Sequence, residues 1–147
     1  SNVAQGAAAA GVALTTKNKK IKGIASASAP SAFLGITEPA MFGVNLALRW
    51  PFYIAIVSAG IGSMFTSILG IKAGKLGAAG YLGFPSIEPT VGAGIPGFFG
   101  CLILTTVIAF VASFIWGKKV EAGNTEEAEA PPLLFPLLPQ QLLQLPL

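Results

Sequence analysis

Two stretches of the chain are apolar over a length that matters. Phe52–Ile71 runs for twenty residues without a charge, and Phe98–Trp116 for nineteen. A helix needs roughly twenty apolar residues to cross a bilayer, so the pattern predicts two spanning helices. Trp50 and Tyr53 flank the start of the first and Trp116 closes the second, where interfacial aromatic residues belong. Helices buried in a soluble core rarely run this long without a charge. Val3–Thr16 is also uncharged, rich in Ala and Gly, and too short to span alone; it reads as the end of a longer helix.

Ser26–Leu48 is a fourth apolar stretch of another kind, because Pro30, Gly35, Glu38, Pro39, Gly43 and Asn45 interrupt it. A straight helix facing lipid would not tolerate this set. Pro39 lacks a backbone donor and biases Glu38 away from helical geometry, and Gly35 permits a sharp turn just before it. The stretch is expected to form two half-helices that meet at a broken tip near Gly35–Pro39. Irregular backbone at membrane depth survives only under cover of protein or beside a water-filled cavity.

The placement of charge gives an orientation. Lys17, Lys19, Lys20 and Lys22, and then Lys118 and Lys119, are expected on the cytoplasmic side. If Phe98–Trp116 ends inside, Phe52–Ile71 runs outward and Arg49 lies inside. Ser26–Leu48 then starts and ends on the same side, as a re-entrant hairpin does. Lys72–Pro96 becomes an external connection, with turns at its glycines and at Pro85, Pro89 and Pro96. Ser58, Gly62 and Thr66 form a small-residue stripe on one face of the first span, suited to close helix packing.

Composition agrees with a lipid environment. Of 147 residues, 53% are hydrophobic and only 10% charged, and the mean hydropathy is +0.72, whereas soluble domains carry about 25% charge. With no His and one Cys, the chain cannot hold a Ser/His/Asp triad, a His-ligated metal, a phosphohistidine or an internal disulfide. No metal and no cofactor are expected. The clustered lysines, flanked by apolar segments, read as an orientation signal, and no nucleic-acid partner is expected. The first residues carry neither Met nor a basic region, which argues against a signal peptide and for a chain that starts inside a protein. Residues 120–130 are acidic and read as a solvated linker. Residues 131–147, almost wholly Leu, Pro and Gln, hold five prolines, which forbid a regular helix; their origin is open.

Glu38 is the focal point of the chemistry. A carboxylate at membrane depth costs about 2.5–3.5 kcal/mol on insertion scales and marks a substrate or ion path. It accepts hydrogen bonds from hydroxyl groups, and paired hydroxyls are what a sugar offers. Thr37 and Asn45 are candidate donors beside it. Glu88-Pro89 repeats the pair in the external connection, where a charge costs little, and reads as a turn.

Gly35-Ile36-Thr37-Glu38-Pro39, continued as Ala40-Met41-Phe42-Gly43-Val44-Asn45-Leu46, closely resembles the signature of enzyme IIC, the membrane component of the bacterial phosphotransferase system. The likeness is to the glucose superfamily and its sucrose-, trehalose- and beta-glucoside-type permeases. Asn2–Ala9, Lys17–Lys22 and Leu48–Phe52 look like the same family, so that the resemblance covers roughly residues 2–119. Leu48-Arg49-Trp50-Pro51-Phe52 and Gly77-Ala78-Ala79-Gly80 look most like the sucrose permeases. The resemblance implies an all-α, multi-pass protein of the bacterial plasma membrane, with the sugar bound in a transport domain that moves against a dimeric scaffold. It implies that Glu38 binds sugar hydroxyls, that Gly35, Thr37 and Pro39 shape the hairpin tip, and that a phosphocysteine on a cytosolic IIB domain, itself charged by IIA, phosphorylates the sugar.

The chain departs from a complete permease of about ten membrane segments. It is expected to be a C-terminal part, 1–119, of the IIC domain, with the scaffold half, the first hairpin and IIB absent. Cys101 lies in an apolar span without the polar surroundings that activate a thiol. Ala47 stands where many family members carry a basic residue. Two rival readings stand beside the permease: a truncated membrane fragment without function of its own, and an ion- or proton-coupled transporter with Glu38 as its titrating group.

Overall fold

A computed structural model describes residues 1–75, 79–89 and 92–129, with side chains described as far as Ala122. The tail at 131–147 and Gly77-Ala78 of the glycine-rich loop lie outside the described residues. The described chain is helical throughout apart from its connections: α1 (Asn2–Thr15), α2 (Lys19–Phe33), a short arm, α5 (Trp50–Ile68), a 3₁₀ segment (Gly80–Ser86) and α6 (Gly94–Glu129). The arm is α3 (Glu38–Ala40), a π-helical turn (Met41–Asn45) and α4 (Leu46–Leu48). Both α5 and α6 are long and apolar enough to cross a membrane.

The centre of the bundle is α1, the segment read as too short to span. Its Ala and Gly side chains let neighbouring helices approach on both sides. At 100° per residue, Ala9, Val12 and Ala13 face α2 and the short arm, where they pack with Ala25, Ala29, Ala32, Ala40 and Val44. Ala4, Ala7 and Ala8 face the other way, onto Ala55 of α5 and Ala109 of α6. A Cβ on Gly11 would come within 2.7 Å of Ser113 Cβ, and one on Gly6 within 3.0 Å of Ala29 O.

The contact between α5 and α6 follows the same rule. Ser58 and Gly62 of the predicted stripe are buried, with Thr66 half-buried beside them. A second stripe on α6, every fourth residue from Cys101 through Thr105, Ala109 and Ser113 to Gly117, is buried as well. A Cβ on Gly62 would overlap Thr105 Oγ1, which donates to Cys101 O at 2.7 Å. Gly62→Leu should therefore force α5 from α6 and cost about 1–3 kcal/mol, the range for overpacked interiors. A lower thermal midpoint in detergent, with Gly60→Leu unchanged because nothing lies within 4 Å of Gly60, is the expected result.

Two local expectations change, and the acidic stretch is helical. The first hairpin arm begins at Lys19, not Ser26, because Asn18 caps it: Asn18 Oδ1 accepts from Lys20 N at 3.0 Å and Ile21 N at 3.3 Å. This arm also runs through Pro30. Pro39 does not bar Glu38 from a helix, since it occupies the first turn of α3, where a missing N–H is harmless. The acidic stretch taken as a linker continues the α6 backbone to Glu129; Glu and Ala favour helix even where composition is solvated.

Candidate functional site

The break falls at Leu34–Thr37, between α2 and α3. Gly35 has φ 106°, a backbone open to glycine, and makes the reversal. Ser31 closes it from within: Ser31 O accepts from Ile36 N at 3.0 Å, and Ser31 Oγ donates to Ile36 O at 3.0 Å. The first residues of α1 hold it from outside, with Asn2 Nδ2 donating to Gly35 O at 3.2 Å.

Beyond the break, Glu38 and Pro39 are exposed and Thr37 is half-buried. Neither the Thr37 hydroxyl nor the Glu38 carboxylate meets a hydrogen-bond or ionic partner among the described residues. Leu34 and Ile36 flank them, 56% and 59% exposed. The tip thus presents a free carboxylate and a free hydroxyl between two apolar side chains. That combination suits a polyhydroxylated ligand, whose hydroxyl groups need acceptors and whose C–H faces need apolar contact.

Asn45 is positioned differently. It is fully buried, and its Nδ2 donates to Gln5 O at 3.1 Å and to Gln5 Oε1 at 2.6 Å. Both amide hydrogens are therefore spent on α1. Its Oδ1 is buried without a hydrogen-bond partner. The π-helical turn ends at Asn45, and such one-turn insertions often accompany functional sites. Gln5, unnoticed in the sequence because a lone Gln in an alanine run carries no pattern, is the residue that holds the second arm.

Both feet of the hairpin stand at one end of the bundle. Leu48, which ends the second arm, and Trp50, which follows it, share a cavity of about 200 Å³ with Asn18 and Ile21, at the start of the first. At that end Lys17 N donates to Glu121 Oε1 at 3.0 Å, and a Cβ on Gly117 would overlap Thr15 Oγ1. Seven of the nine basic residues, Lys17, Lys19, Lys20, Lys22, Arg49, Lys118 and Lys119, therefore lie on chain segments at this end. Arg49, with φ 65°, makes the turn from α4 into α5, a backbone rare for a residue with a Cβ.

Of the remaining candidates, Cys101 is buried in α6 and Glu88 is exposed, in a turn anchored by Glu88 N donating to Lys72 O at 3.0 Å and by an antiparallel bridge between Ala73 and Ile87. Ala47 is exposed on α4. No group of three His, Cys, Asp or Glu side chains gathers as a metal site among the described residues.

Residues 1–60 match the family model described as Phosphotransferase system, EIIC. The sucrose-specific EIIBC component of the phosphotransferase system from Pasteurella multocida (strain Pm70) is 46% identical over 121 residues, which is 82% of this chain and 25% of that protein. The sucrose-specific EIIBC component of Staphylococcus xylosus is 60% identical over 89 residues, 60% of this chain and 18% of that protein. The trehalose-specific EIIBC component of Bacillus subtilis (strain 168) is 49% identical over 87 residues, 59% of this chain and 18% of that protein. The chain thus spans a quarter or less of the length of these relatives. No solved structure matches it.

Proposed function

The chain belongs to the phosphotransferase system EIIC family, and from that premise we propose that it supplies the sugar-binding hairpin of a permease whose sugar is sucrose. A membrane location goes with that family. The observation that carries the proposal is the free Thr37–Glu38 pair at the tip of a helical hairpin with both feet at the basic end. Glu38 accepts hydrogen bonds from sugar hydroxyls, Thr37 adds one hydroxyl, and Leu34 and Ile36 meet the apolar faces of the ring. Gly35 and Pro39 shape the tip. Asn45, with its donors spent on Gln5, acts by holding the second arm on α1 rather than by touching sugar.

The hairpin enters the plasma membrane from the cytoplasm and returns, while α5 and α6 cross it. The complete permease works as a dimer, with its remaining IIC segments supplied beyond this chain. Phosphorylation falls to IIB and IIA domains, in keeping with relatives that are EIIBC and EIIBCA components. The phosphoryl group leaves the IIB cysteine sulfur for a sugar hydroxyl oxygen; the S–P bond breaks, an O–P bond forms and the hydroxyl proton is released.

Co-expression with the remaining IIC segments and the IIB domain of a sucrose-specific relative is the direct test. The expected result is sucrose uptake driven by phosphoenolpyruvate. Uptake driven by a proton gradient would favour an ion-coupled transporter, and no uptake would favour an inert fragment. The topology has its own check. Cysteines replacing Lys22 and Arg49 are expected to react with an impermeant maleimide from the same side of the membrane; opposite sides would remove the re-entrant hairpin.

A further inference from the structure

The connection between α5 and α6 folds back into the bundle rather than lying over its end. Gly35 at the tip and Gly80 at the start of the 3₁₀ segment both have positive φ, 106° and 70°. A Cβ on Gly35 would come within 2.9 Å of Ala79 O, and one on Gly80 would overlap Phe33 O. The two backbones therefore meet at a pair of positions that only glycine fills without strain. Beside them the Phe33 and Tyr81 rings lie 5.9 Å apart at 56°, a favourable tilted contact.

Beyond that contact the Tyr81 hydroxyl lies 2.8 Å from Thr106 Oγ1. Thr106 Oγ1 also donates to Leu102 O at 2.8 Å. A hydroxyl has one proton, so Tyr81 is the donor and Thr106 the acceptor. Thr106 lies twelve residues into α6, about 18 Å along its axis at 1.5 Å per residue. A chain of contacts thus runs from the hairpin tip through Phe33 and Tyr81 to the middle of a spanning helix. Asn2 holds the tip as well, through Gly35 O.

We infer that Ala79–Tyr81 is a clamp on the hairpin tip, and that Tyr81 and Thr106 are positioning residues that set where Thr37 and Glu38 are presented. The clamp is a statement about this chain; its consequence for transport rests on the reading of Glu38 as a sugar ligand. Tyr81→Phe keeps the ring against Phe33 and removes the donor. Thr106→Val keeps the volume and removes the acceptor, while Thr106→Ser keeps the hydroxyl.

The first arm of the test needs no sugar. In the full chain in lipid vesicles, with Cys101→Ser as background and Thr37→Cys as reporter, Tyr81→Phe or Thr106→Val should speed maleimide labelling at least about threefold, within what one lost hydrogen bond allows. The double variant should be no faster than the faster single one, because both remove the same bond. Thr106→Ser should label at the original rate. Unchanged labelling in both single variants overturns the clamp. The second arm uses the assembled permease, where Tyr81→Phe should raise the KM for sucrose about fivefold and leave uptake at saturating sugar within about twofold. A fall in maximal uptake at unchanged KM would make the contact merely structural and overturn the positioning role. Faster labelling in an assembly that takes up no sugar would sink the sugar reading and leave the clamp standing.

Discussion

Glu38→Ala in the assembled permease is expected to reduce sucrose uptake at subsaturating sugar by at least about 100-fold. A carboxylate that accepts two hydroxyl hydrogen bonds gains about 1.5–3 kcal/mol from each, and about 1.4 kcal/mol is a factor of ten. Glu38→Gln keeps one carbonyl acceptor without the charge, so its loss should be intermediate, roughly tenfold. Glu88→Ala is the matched control, since it removes an exposed carboxylate next to a proline in the turn anchored on Lys72, and uptake should stay within about twofold because exposed surface positions tolerate change. Initial-rate uptake of labelled sucrose, normalised to the amount of protein in the membrane, reads all three. If Glu38→Ala and Glu88→Ala behave alike, the carboxylate at the tip is not a ligand.

The features readable in the sequence were those with a local signature. An uncharged run of twenty residues announces a helix long and apolar enough to cross a membrane, and the Gly35-to-Pro39 cluster announces a break, although Gly35 makes the turn while Pro39 fits into the following helix. The distribution of lysines called for a re-entrant hairpin; the structure brings Asn18 and Ile21 beside Leu48 and Trp50, and the membrane topology itself is left to the labelling test. What escaped depends on partners distant in sequence. An alanine-rich segment looks unremarkable until α2, α5 and α6 close around it. The α6 stripe from Cys101 to Gly117 mixes Cys, Thr, Ala, Ser and Gly, so no single residue type marks it. The connection read as an external loop folds back because Gly80 and Tyr81 find Phe33 and Thr106, pairings that no local window contains. Asn45 looked available to a ligand because its polarity is visible in the sequence, whereas its engagement by Gln5, forty positions away, is not.

That amide pair sets the second large effect, on stability. Asn45→Ala should destabilise the hairpin because it strands Gln5 Oε1 in a buried site and leaves a cavity, while Gln5 O keeps its partner within α1. A buried acceptor left without a donor costs about 1–3 kcal/mol, and little water reaches a position where Asn45 is 0% exposed. Gln5→Leu should be milder. It removes the Oε1 acceptor but leaves the Gln5 backbone carbonyl to receive one amide hydrogen, so a single donor is stranded and no cavity of that size opens. Asn45→Ala combined with Gln5→Leu should cost less than the sum of the two, because neither change then leaves the other amide unpaired. The cavity left at position 45 remains, which keeps the recovery incomplete. The coupling energy from this cycle should fall near 0.6 and below about 1.7 kcal/mol, the range for side-chain hydrogen bonds between membrane helices. Thermal unfolding in detergent, followed at a reporter on the tip, gives the four stabilities. Additive losses would mean that the two amides do not act as a pair, and the second arm would then rest on the packing of Val44 and Ala40 alone.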